Sequence, residues 1–354
     1  MNRINVLVVE DSPTVRELIT HILGSDPDIA VVGTAVSGED AVAAAARLRP
    51  DLITMDINLP GINGYEATRR IMETCPTRII IVSASHDPKD VARSLRVVEA
   101  GALTILPPPL GLGHPEFQIR AAELIRTVKL MSEIKVVRRW PKAPAPAKAA
   151  PRVEVKPVPK KIELVAMGAS TGGPLVLKTI LAGLGPGFPA PVLIVQHMSP
   201  GFVPGLAEWL RQSTGFPVQV AQDRQEILPG QAYLAPDGFH MGVDRFGRVE
   251  LNTAPPVGGL RPAVAPLFRS VAQTYGPSAV AILLTGMGDD GVAEMALMKE
   301  KGAVTIAQDK ESSVVHGMPG EAIKLGAALY ALGPEQIAEL LKNLIEPDQK
   351  RDQR

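Results

Sequence analysis

Cysteine is almost absent from this chain of 354 residues, which contains only Cys75. A single thiol cannot form an internal disulfide or a cysteine-rich zinc site, so both are excluded, and this scarcity is compatible with a reducing compartment. Long apolar runs are absent as well. No run approaches the roughly 18 apolar residues that a membrane span needs, so we expect no membrane insertion.

An excess of positive charge is also lacking, because 37 Lys and Arg residues balance 37 Asp and Glu residues. Phosphate backbones are bound by a basic surplus, so this balance argues against nucleic acid as a partner. Residues 1–6 lead straight into a strand-like segment, without the charged head and apolar stretch of a signal peptide. We therefore expect a cytoplasmic protein.

Two stretches of alternating strand and helix patterns account for most of the chain, whose length suggests two domains. Residues 1–125 contain five short apolar segments rich in β-branched side chains, each followed by a helical pattern. Residues 162–347 repeat this alternation and add a hairpin-like turn at residues 244–247. Such alternation predicts parallel sheets with helices on both faces. The expected fold class is α/β, with a five-stranded flavodoxin-like domain followed by a Rossmann-like domain that carries a small antiparallel hairpin.

Residues 126–161 differ in composition from both of these stretches. After the end of a helix, residues 138–161 contain six prolines and eight Lys or Arg residues but a single acid, Glu154. Prolines favour extended chain over packing, so we predict a solvated Pro/Ala/Lys-rich linker, with a basic binding patch as the alternative. Residues 348–354 are expected to form a disordered tail.

Three carboxylates follow the ends of predicted strands in the first domain. Glu10 and Asp11 end the first strand, and Asp56 ends the third. These ends meet at one edge of a parallel sheet, where three like charges would repel unless a cation such as Mg²⁺ neutralised them. Asp56 could then accept a phosphoryl group, and the hydroxyl of Ser83, at the end of the fourth strand, could contact it. The alternative is that these acids cap helices.

The motifs VLVVEDSPTVR, DLITMDINLPGINGYEA and IIIVSAS resemble those of response-regulator receiver domains. The resemblance implies phosphorylation of Asp56 by a histidine kinase, with Mg²⁺ held by Glu10, Asp11 and Asp56. Three positions depart from the family pattern. Glu10 and Thr104 replace aspartates, and Pro108 stands where the family has a lysine that pairs with the phosphoryl charge. We therefore expect a receiver that binds metal and accepts phosphoryl but switches weakly.

Residues suited to nucleophilic catalysis follow three predicted strands of the second domain. Ser170 lies in a G-x-S-x-G turn, His197 ends the next strand, and the pair Asp289 and Asp290 follows a third. Such residues can meet in one crevice as a Ser-His-Asp triad, although their order differs from that of α/β-hydrolases. Spacing alone does not choose between the two acids. The alternative for the serine is a glycine turn that binds an anion.

The surroundings of this candidate triad suggest its accessory groups. The backbone N–H groups of Thr171 and Met287 are candidate oxyanion donors, because glycines leave the chain free near both. His316 is the alternative base. The remaining histidines are expected to be structural or exposed; they are His21, His86, His114 and His240.

Five segments closely resemble the chemotaxis protein-glutamate methylesterase/glutamine deamidase family. They are GASTGGP, QHMSPGF, LRPAVAPLFRSVA, LLTGMGDDG and AQDKESSVVHGMPGEAI. The resemblance covers about residues 163–345, and with the receiver in front it extends to the whole architecture. It implies that Ser170 is the nucleophile, His197 the base, and Asp290 rather than Asp289 the triad aspartate.

The activity that this resemblance implies is hydrolysis of glutamate γ-methyl esters on the cytoplasmic helices of methyl-accepting chemoreceptors, with release of methanol. It also implies deamidation of receptor glutamines and phosphorylation by the chemotaxis histidine kinase. The family often has RPSVD where this chain has RPAVA at residues 261–265, which removes a hydroxyl and a carboxylate near the expected substrate groove. We expect a monomer whose esterase reaction needs no cofactor. The competing hypothesis is a receiver-linked binding or scaffold module with vestigial or unregulated esterase activity.

Overall fold

The computed structural model describes residues 3–83, 88–134 and 161–345. The chain divides into two compact units, Met1–Ala145 and Pro146–Arg354. Apart from Lys161, the expected linker at 138–161 lies outside the described residues, and so does the expected tail at 348–354. The exact domain limits therefore stay a prediction. None of the helices in the described ranges has the length and apolar composition of a membrane span.

The described part of the first unit has five strands that alternate with five helices around one parallel sheet. The sheet order is β2-β1-β3-β4-β5, which is the flavodoxin-like order. This confirms the predicted five-stranded parallel fold. The elements are β1 Ile4–Val9, α1 Pro13–Gly24, β2 Ile29–Ala35, α2 Gly38–Leu48, β3 Leu52–Met55, α3 Gly64–Thr74, β4 Arg78–Val82, α4 Pro88–Ala100, β5 Thr104–Leu106 and α5 Phe117–Ser132.

The sequence pattern predicts helices over residues 41–48 and 117–136, and one end of each differs in the structure, whose description of this unit stops at residue 134. Helix α2 begins at Gly38 rather than near residue 41, because the Ser37 side chain accepts a hydrogen bond from the Asp40 N–H and caps the first turn. Helix α5 ends at Ser132, not at residue 136 as the pattern predicts. There Glu133 donates to a carbonyl three residues back, and this tight turn closes the helix.

The described part of the second unit contains a seven-stranded parallel sheet and a separate two-stranded antiparallel hairpin, which confirms the predicted class. The sheet order is β14-β13-β12-β6-β7-β9-β8, and the hairpin pairs β10 with β11. The elements are β6 Leu164–Ala169, α6 Gly173–Leu184, β7 Val192–Gln196, α7 Val203–Thr214, β8 Val218–Val220, β9 Ala232–Leu234, β10 His240–Val243, β11 Val249–Asn252, α8 Val264–Thr274, β12 Ala279–Leu283, α9 Val292–Glu300, β13 Val304–Gln308, α10 Met318–Lys324, β14 Tyr330–Leu332 and α11 Pro334–Ile345.

Three short strands of this sheet were not distinguished by the sequence pattern. The pattern predicts short strands somewhere within residues 217–252 but does not assign them to the main sheet. Strands β8 and β9 lie in this stretch, and β9 pairs in parallel with β7 and extends the main sheet. Strand β14 is not predicted at all, and it pairs with β13 at the other end. Each has only three residues, which is too short to establish a periodicity.

The middle of the sheet positions the candidate site. Strand β6 is buried along its whole length and lies between β12 and β7. All three strands run in the same direction, so the residues that follow Ala169, Gln196 and Leu283 emerge at one edge of the sheet. These residues include the serine, the histidine and the acidic pair of the second domain.

Candidate active site

The His197 ring and the Asp290 carboxylate are in direct contact. His197 Nε2 lies 2.9 Å from Asp290 Oδ2, and each side chain is only 8% exposed. With Nε2–H donating to the carboxylate, the other ring nitrogen, Nδ1, is left to accept a proton. The pair therefore has the two features of a triad base, which are a fixed tautomer and a buried anion behind it.

The N-terminus of helix α8 holds Asp290 from the other side. The N–H of Val264 donates to Oδ2 at 2.6 Å, and the N–H of Ala265 donates to Oδ1 at 3.0 Å. Burial by itself would raise the pKa of Asp290. The hydrogen bonds from His197 and from these two backbone groups outweigh burial, so the pKa lies below its usual value and the carboxylate is ionised at neutral pH.

Ser170 lies at the same sheet edge, and its backbone is held from both neighbouring strands. Its N–H donates to Thr285 O, and the N–H of His197 donates to the carbonyl of the preceding residue, Ala169. A Cβ at Gly286 would lie 2.6 Å from the Ser170 Cβ, so only glycine fits beside the serine. Within the described ranges, no hydrogen bond joins the Ser170 hydroxyl to the His197 ring; such bonds often tighten only when substrate is bound.

The turn that follows Ser170 is supported by a buried threonine that the sequence pattern did not single out. Thr285 Oγ1 donates to Thr171 O at 2.9 Å and accepts from Val315 N–H at 2.9 Å. The turn then passes through Gly172, whose φ of +80° is left-handed, into helix α6. In the sequence, the role of Thr285 is indicated only by its place before the first glycine of the LLTGMGDDG motif.

The other acidic and basic candidates are placed differently. Asp289 is exposed, while its neighbour Asp290 contacts His197. The Nδ1 of His316 lies 3.3 Å from Ser313 Oγ, within its own segment, and burial lowers the pKa of this histidine. Among the described residues, only His197 is seen to pair with an acid of the candidate triad.

His240 is buried and supports the start of helix α8 without contacting the candidate triad by a described hydrogen bond. It is 1% exposed, which excludes the exposed placement that the sequence left open. Its Nδ1 accepts from the Ala263 N–H and its Nε2 donates to Pro255 O, both at 3.2 Å. Ala263 directly precedes helix α8, so His240 fixes the helix start that holds Asp290.

The two candidate oxyanion donors lie on turns beside Ser170. Thr171 follows the serine directly and is partly buried, whereas Met287 is 38% exposed. The loop before Met287 is fixed, because the Gly286 N–H donates to Val315 O and the Gly286 carbonyl accepts from the Met318 N–H. Their role as oxyanion donors stays a prediction.

In the first unit, the three predicted acids meet at the carboxyl edge of the sheet. Ligand oxygens of Glu10, Asp11 and Asp56 all lie within 4.8 Å of one another. Burial, followed by the negative charge of Asp56, raises the pKa of Glu10 to about 7. Burial also raises the pKa of Asp56, against hydrogen bonds from two backbone N–H groups. A site of oxygen ligands that repel one another fits a hard divalent cation such as Mg²⁺.

The basic partner for a phosphoryl group at this site is missing where the receiver pattern expects it. Ser83 is 2% exposed at the end of β4, and Pro108 follows β5 at the same edge. A proline offers neither a cation nor an N–H. The Nζ of Lys129, the first lysine of the described chain after that point, lies 2.9 Å from Asp26 Oδ2 and 2.8 Å from Asp28 Oδ2.

The two units together define a class of protein in which a receiver-type acidic site accompanies a hydrolase domain with a Ser-His-Asp arrangement. The family described as "CheB methylesterase" matches residues 165–341, and the "Response regulator receiver domain" matches residues 6–113. The protein-glutamate methylesterase/protein-glutamine glutaminase 1 of Syntrophus aciditrophicus (strain SB) is 55% identical over 344 residues, which cover 96% of this chain and 98% of that protein.

Two further comparisons agree. A protein-glutamate methylesterase/protein-glutamine glutaminase of Geobacter metallireducens is 52% identical over 342 residues, covering 96% of this chain and 99% of that protein. The crystal structure of the Thermotoga maritima CheB methylesterase catalytic domain superposes with a TM-score of 0.51 at 39% identity, covering 52% of this chain and 100% of that chain. The chain belongs to the protein-glutamate methylesterase/protein-glutamine glutaminase family, as its motifs predict.

Proposed function

We propose that this chain hydrolyses glutamate γ-methyl esters on the cytoplasmic helices of chemoreceptors and deamidates receptor glutamines, under the control of its receiver domain. The observation that carries the proposal is the buried His197–Asp290 pair at the sheet edge that also bears Ser170. This is the residue set that acyl transfer through a serine requires. The names of the relatives that match nearly the whole chain support protein glutamate esters and glutamines as substrates. The resemblance of the motifs to the chemotaxis family supports chemoreceptors as the proteins that carry them.

The reaction begins with attack of Ser170 Oγ on the side-chain carbonyl carbon of the substrate. The Nδ1 of His197 takes the hydroxyl proton, while its Nε2–H stays hydrogen-bonded to Asp290 Oδ2. The negative charge that develops on the carbonyl oxygen is stabilised by backbone N–H groups, for which we assign Thr171 and Met287. No metal is assigned to this step.

Collapse of this intermediate breaks the bond to the leaving group. His197 returns its proton, so methanol leaves from an ester and ammonia leaves from a glutamine amide. The acyl-enzyme that remains is an ester of Ser170. Water attacks it with His197 again as the base, which releases the glutamate carboxylate and restores the serine.

For the first unit we propose that a chemotaxis histidine kinase supplies a phosphoryl group to Asp56. Transfer would use a bound Mg²⁺ ion, held by the carboxylates of Glu10, Asp11 and Asp56. The ion would neutralise the negative charge that the phosphoryl group brings to these acids. The Asp56 carboxylate attacks the phosphorus while the bond between phosphorus and the histidine nitrogen of the kinase breaks, which leaves that histidine free. The buried hydroxyl of Ser83 lies at the end of the neighbouring strand, where it can contact the phosphoryl oxygens.

The domain limits and the cellular context belong to the same proposal. The receiver occupies residues 1–125, the end of its last helix and a linker occupy 126–161, the methylesterase domain 162–347 and a tail 348–354. The protein works in the cytoplasm as a monomer, with receptors as substrates and the kinase as phosphoryl donor. The division of the chain into two compact units supports the separation of receiver and esterase.

The deciding experiment measures methanol release from methylated receptor by the full-length protein and by residues 160–354 alone. We expect both to release methanol, and we expect the full-length protein without phosphoryl donor to be the slower of the two. Absence of release from both would contradict the enzyme and favour the scaffold module. Equal rates would indicate an unregulated esterase.

A further inference from the structure

Gln196 is the last residue of strand β7 and directly precedes His197. Its side chain is buried, with the residue 3% exposed. The side-chain Nε2 donates two hydrogen bonds, one to the carbonyl of Ser170 at 2.8 Å and one to the carbonyl of His197 at 2.9 Å. A single amide group therefore joins the backbones of the two residues between which a proton must move.

This amide continues the link between β6 and β7 beyond the point where the sheet ends. The pairing of Ala169 with Gln196 is the last of the β6–β7 ladder, and the chain then turns away on both sides. Without further backbone pairs, the two turns could move relative to each other. The Gln196 amide links the two turns, because its Nε2 donates to the first residue of each.

The orientation of the amide follows from its partners. Both neighbours of Nε2 are carbonyl oxygens, which only accept hydrogen bonds, so the nitrogen must face them. The other end, Oε1, faces the start of helix α6, where a Cβ at Gly173 would clash with it. Within the described part of the chain, Oε1 is buried without a hydrogen-bond partner.

An unpartnered buried acceptor costs folding free energy, which offsets what the two hydrogen bonds contribute. Among the described residues, the hydroxyls of Thr20, Thr54 and Thr68 are also buried without a partner. Gln196 differs from them because the other atom of its amide donates to the carbonyls of both Ser170 and His197. The unpartnered Oε1 lowers the stability of the fold, whereas the two hydrogen bonds of Nε2 link the backbones of the site residues.

We infer that Gln196 is a positioning residue for the methylesterase and deamidase reaction, and that it sets the alignment of Ser170 with His197 through their backbone carbonyls. This inference rests on the proposed function. It assigns Gln196 no contact with substrate. Its effect is on the geometry in which Ser170 Oγ and His197 Nδ1 meet when substrate binds.

The test is Gln196→Met in the full-length chain, since methionine keeps the length of the side chain and removes both polar atoms. We expect kcat for methanol release to fall by on the order of tenfold to a hundredfold, as for a reacting group displaced by about 1 Å. KM should stay nearly constant and the melting temperature should be unchanged or higher. Covalent labelling of Ser170 by phenylmethylsulfonyl fluoride should slow in parallel with kcat.

The matched control is Gln219→Met in edge strand β8 of the same sheet. Gln219 Nε2 donates to the Gln231 side chain, away from the three strands that carry the site. This variant should keep the kcat, the labelling rate and the KM of the wild type. The same loss in both variants would show that the substitution type, rather than the position, matters.

Two outcomes for Gln196→Met would overturn the inference. Unchanged kcat and labelling would show that the amide does not align the site. A strongly destabilised or insoluble variant would show that Gln196 is needed for folding instead. Wild type and Ser170→Ala run in the same assay separate these results from the proposed function: if the wild type releases no methanol, the function is wrong, whereas an active wild type with an equally active Gln196→Met refutes this inference alone.

Discussion

The acidic site of the first unit and the Ser-His-Asp site of the second lie at the same kind of place, the carboxyl edge of a parallel sheet, but they are stabilised differently. In the second unit, His197 and two backbone N–H groups hold Asp290, and its pKa is lowered. In the first unit, the carboxylates of Glu10 and Asp56 face each other, and the pKa of both is raised. The hydrogen-bond donors of the chain outweigh the cost of burial at Asp290, whereas at Glu10 and Asp56 they do not, and the receiver site fits a cation.

The largest expected effect is that of removing the candidate nucleophile from the site of the second unit. Ser170→Ala should reduce methanol release by on the order of a millionfold, because it removes the nucleophile on which the other groups act. The fold should persist, since the hydroxyl makes no described hydrogen bond that holds the structure. Release is measured from methylated receptor, with circular dichroism as the control for folding. Near-normal release would contradict the assignment of the nucleophile.

The next prediction tests whether one acid alone completes that site. Asp290→Asn should lower kcat by about four orders of magnitude, since an amide in place of the carboxylate no longer holds the imidazole in the required tautomer. Asp289→Asn, which changes the exposed neighbour, is the matched control and should stay within a few-fold of wild type. If the effects are reversed, the triad aspartate is assigned one residue too late.

The third prediction concerns the site that requires a cation. With the pKa of Glu10 near 7, protons compete with Mg²⁺ below neutral pH. The affinity of the receiver for Mg²⁺ should therefore fall about fivefold from pH 7 to pH 6 and level off above pH 8, as measured by calorimetric titration. Glu10→Gln should bind more weakly and lose most of this pH dependence. A flat profile in the wild type would mean that Glu10 does not titrate against the metal.

The smallest expected effect is that of phosphorylation on turnover. Because Pro108 supplies no cation for the phosphoryl charge, the two states of the receiver should differ little in free energy. We expect partial activity without phosphoryl donor and less than a tenfold gain with donor or beryllofluoride, a difference below about 1.4 kcal/mol.

Pro108→Lys sharpens this test, because it returns the missing ammonium group and should increase the gain. A gain of tenfold or more in the wild type would show that another residue replaces the lysine. If Asp56 accepts no phosphoryl group at all, the receiver is a structural partner rather than a switch. In that case only the site of the second unit would carry out a reaction.

Local pattern was sufficient for the long elements of both units. The apolar run at residues 4–9 predicts strand β1, and the run at 192–196 predicts β7, both with the observed limits. The three-residue strand β14 was missed, and β9 was not assigned to the main sheet. Their place depends on the strands beside them, β13 and β7, which are distant in sequence.

The sequence by itself determined which residue types stand at the strand ends, and in what order, so Ser170, His197 and the Asp289–Asp290 pair could be named as candidates. Only the tertiary structure decided that Nε2 of His197 faces Asp290 and that Gln196, Thr285 and His240 support the site. Residue types at strand ends follow local patterns that a sequence displays directly. Hydrogen-bond partners depend on how strands and turns far apart in the chain are brought together, and no local pattern encodes that arrangement.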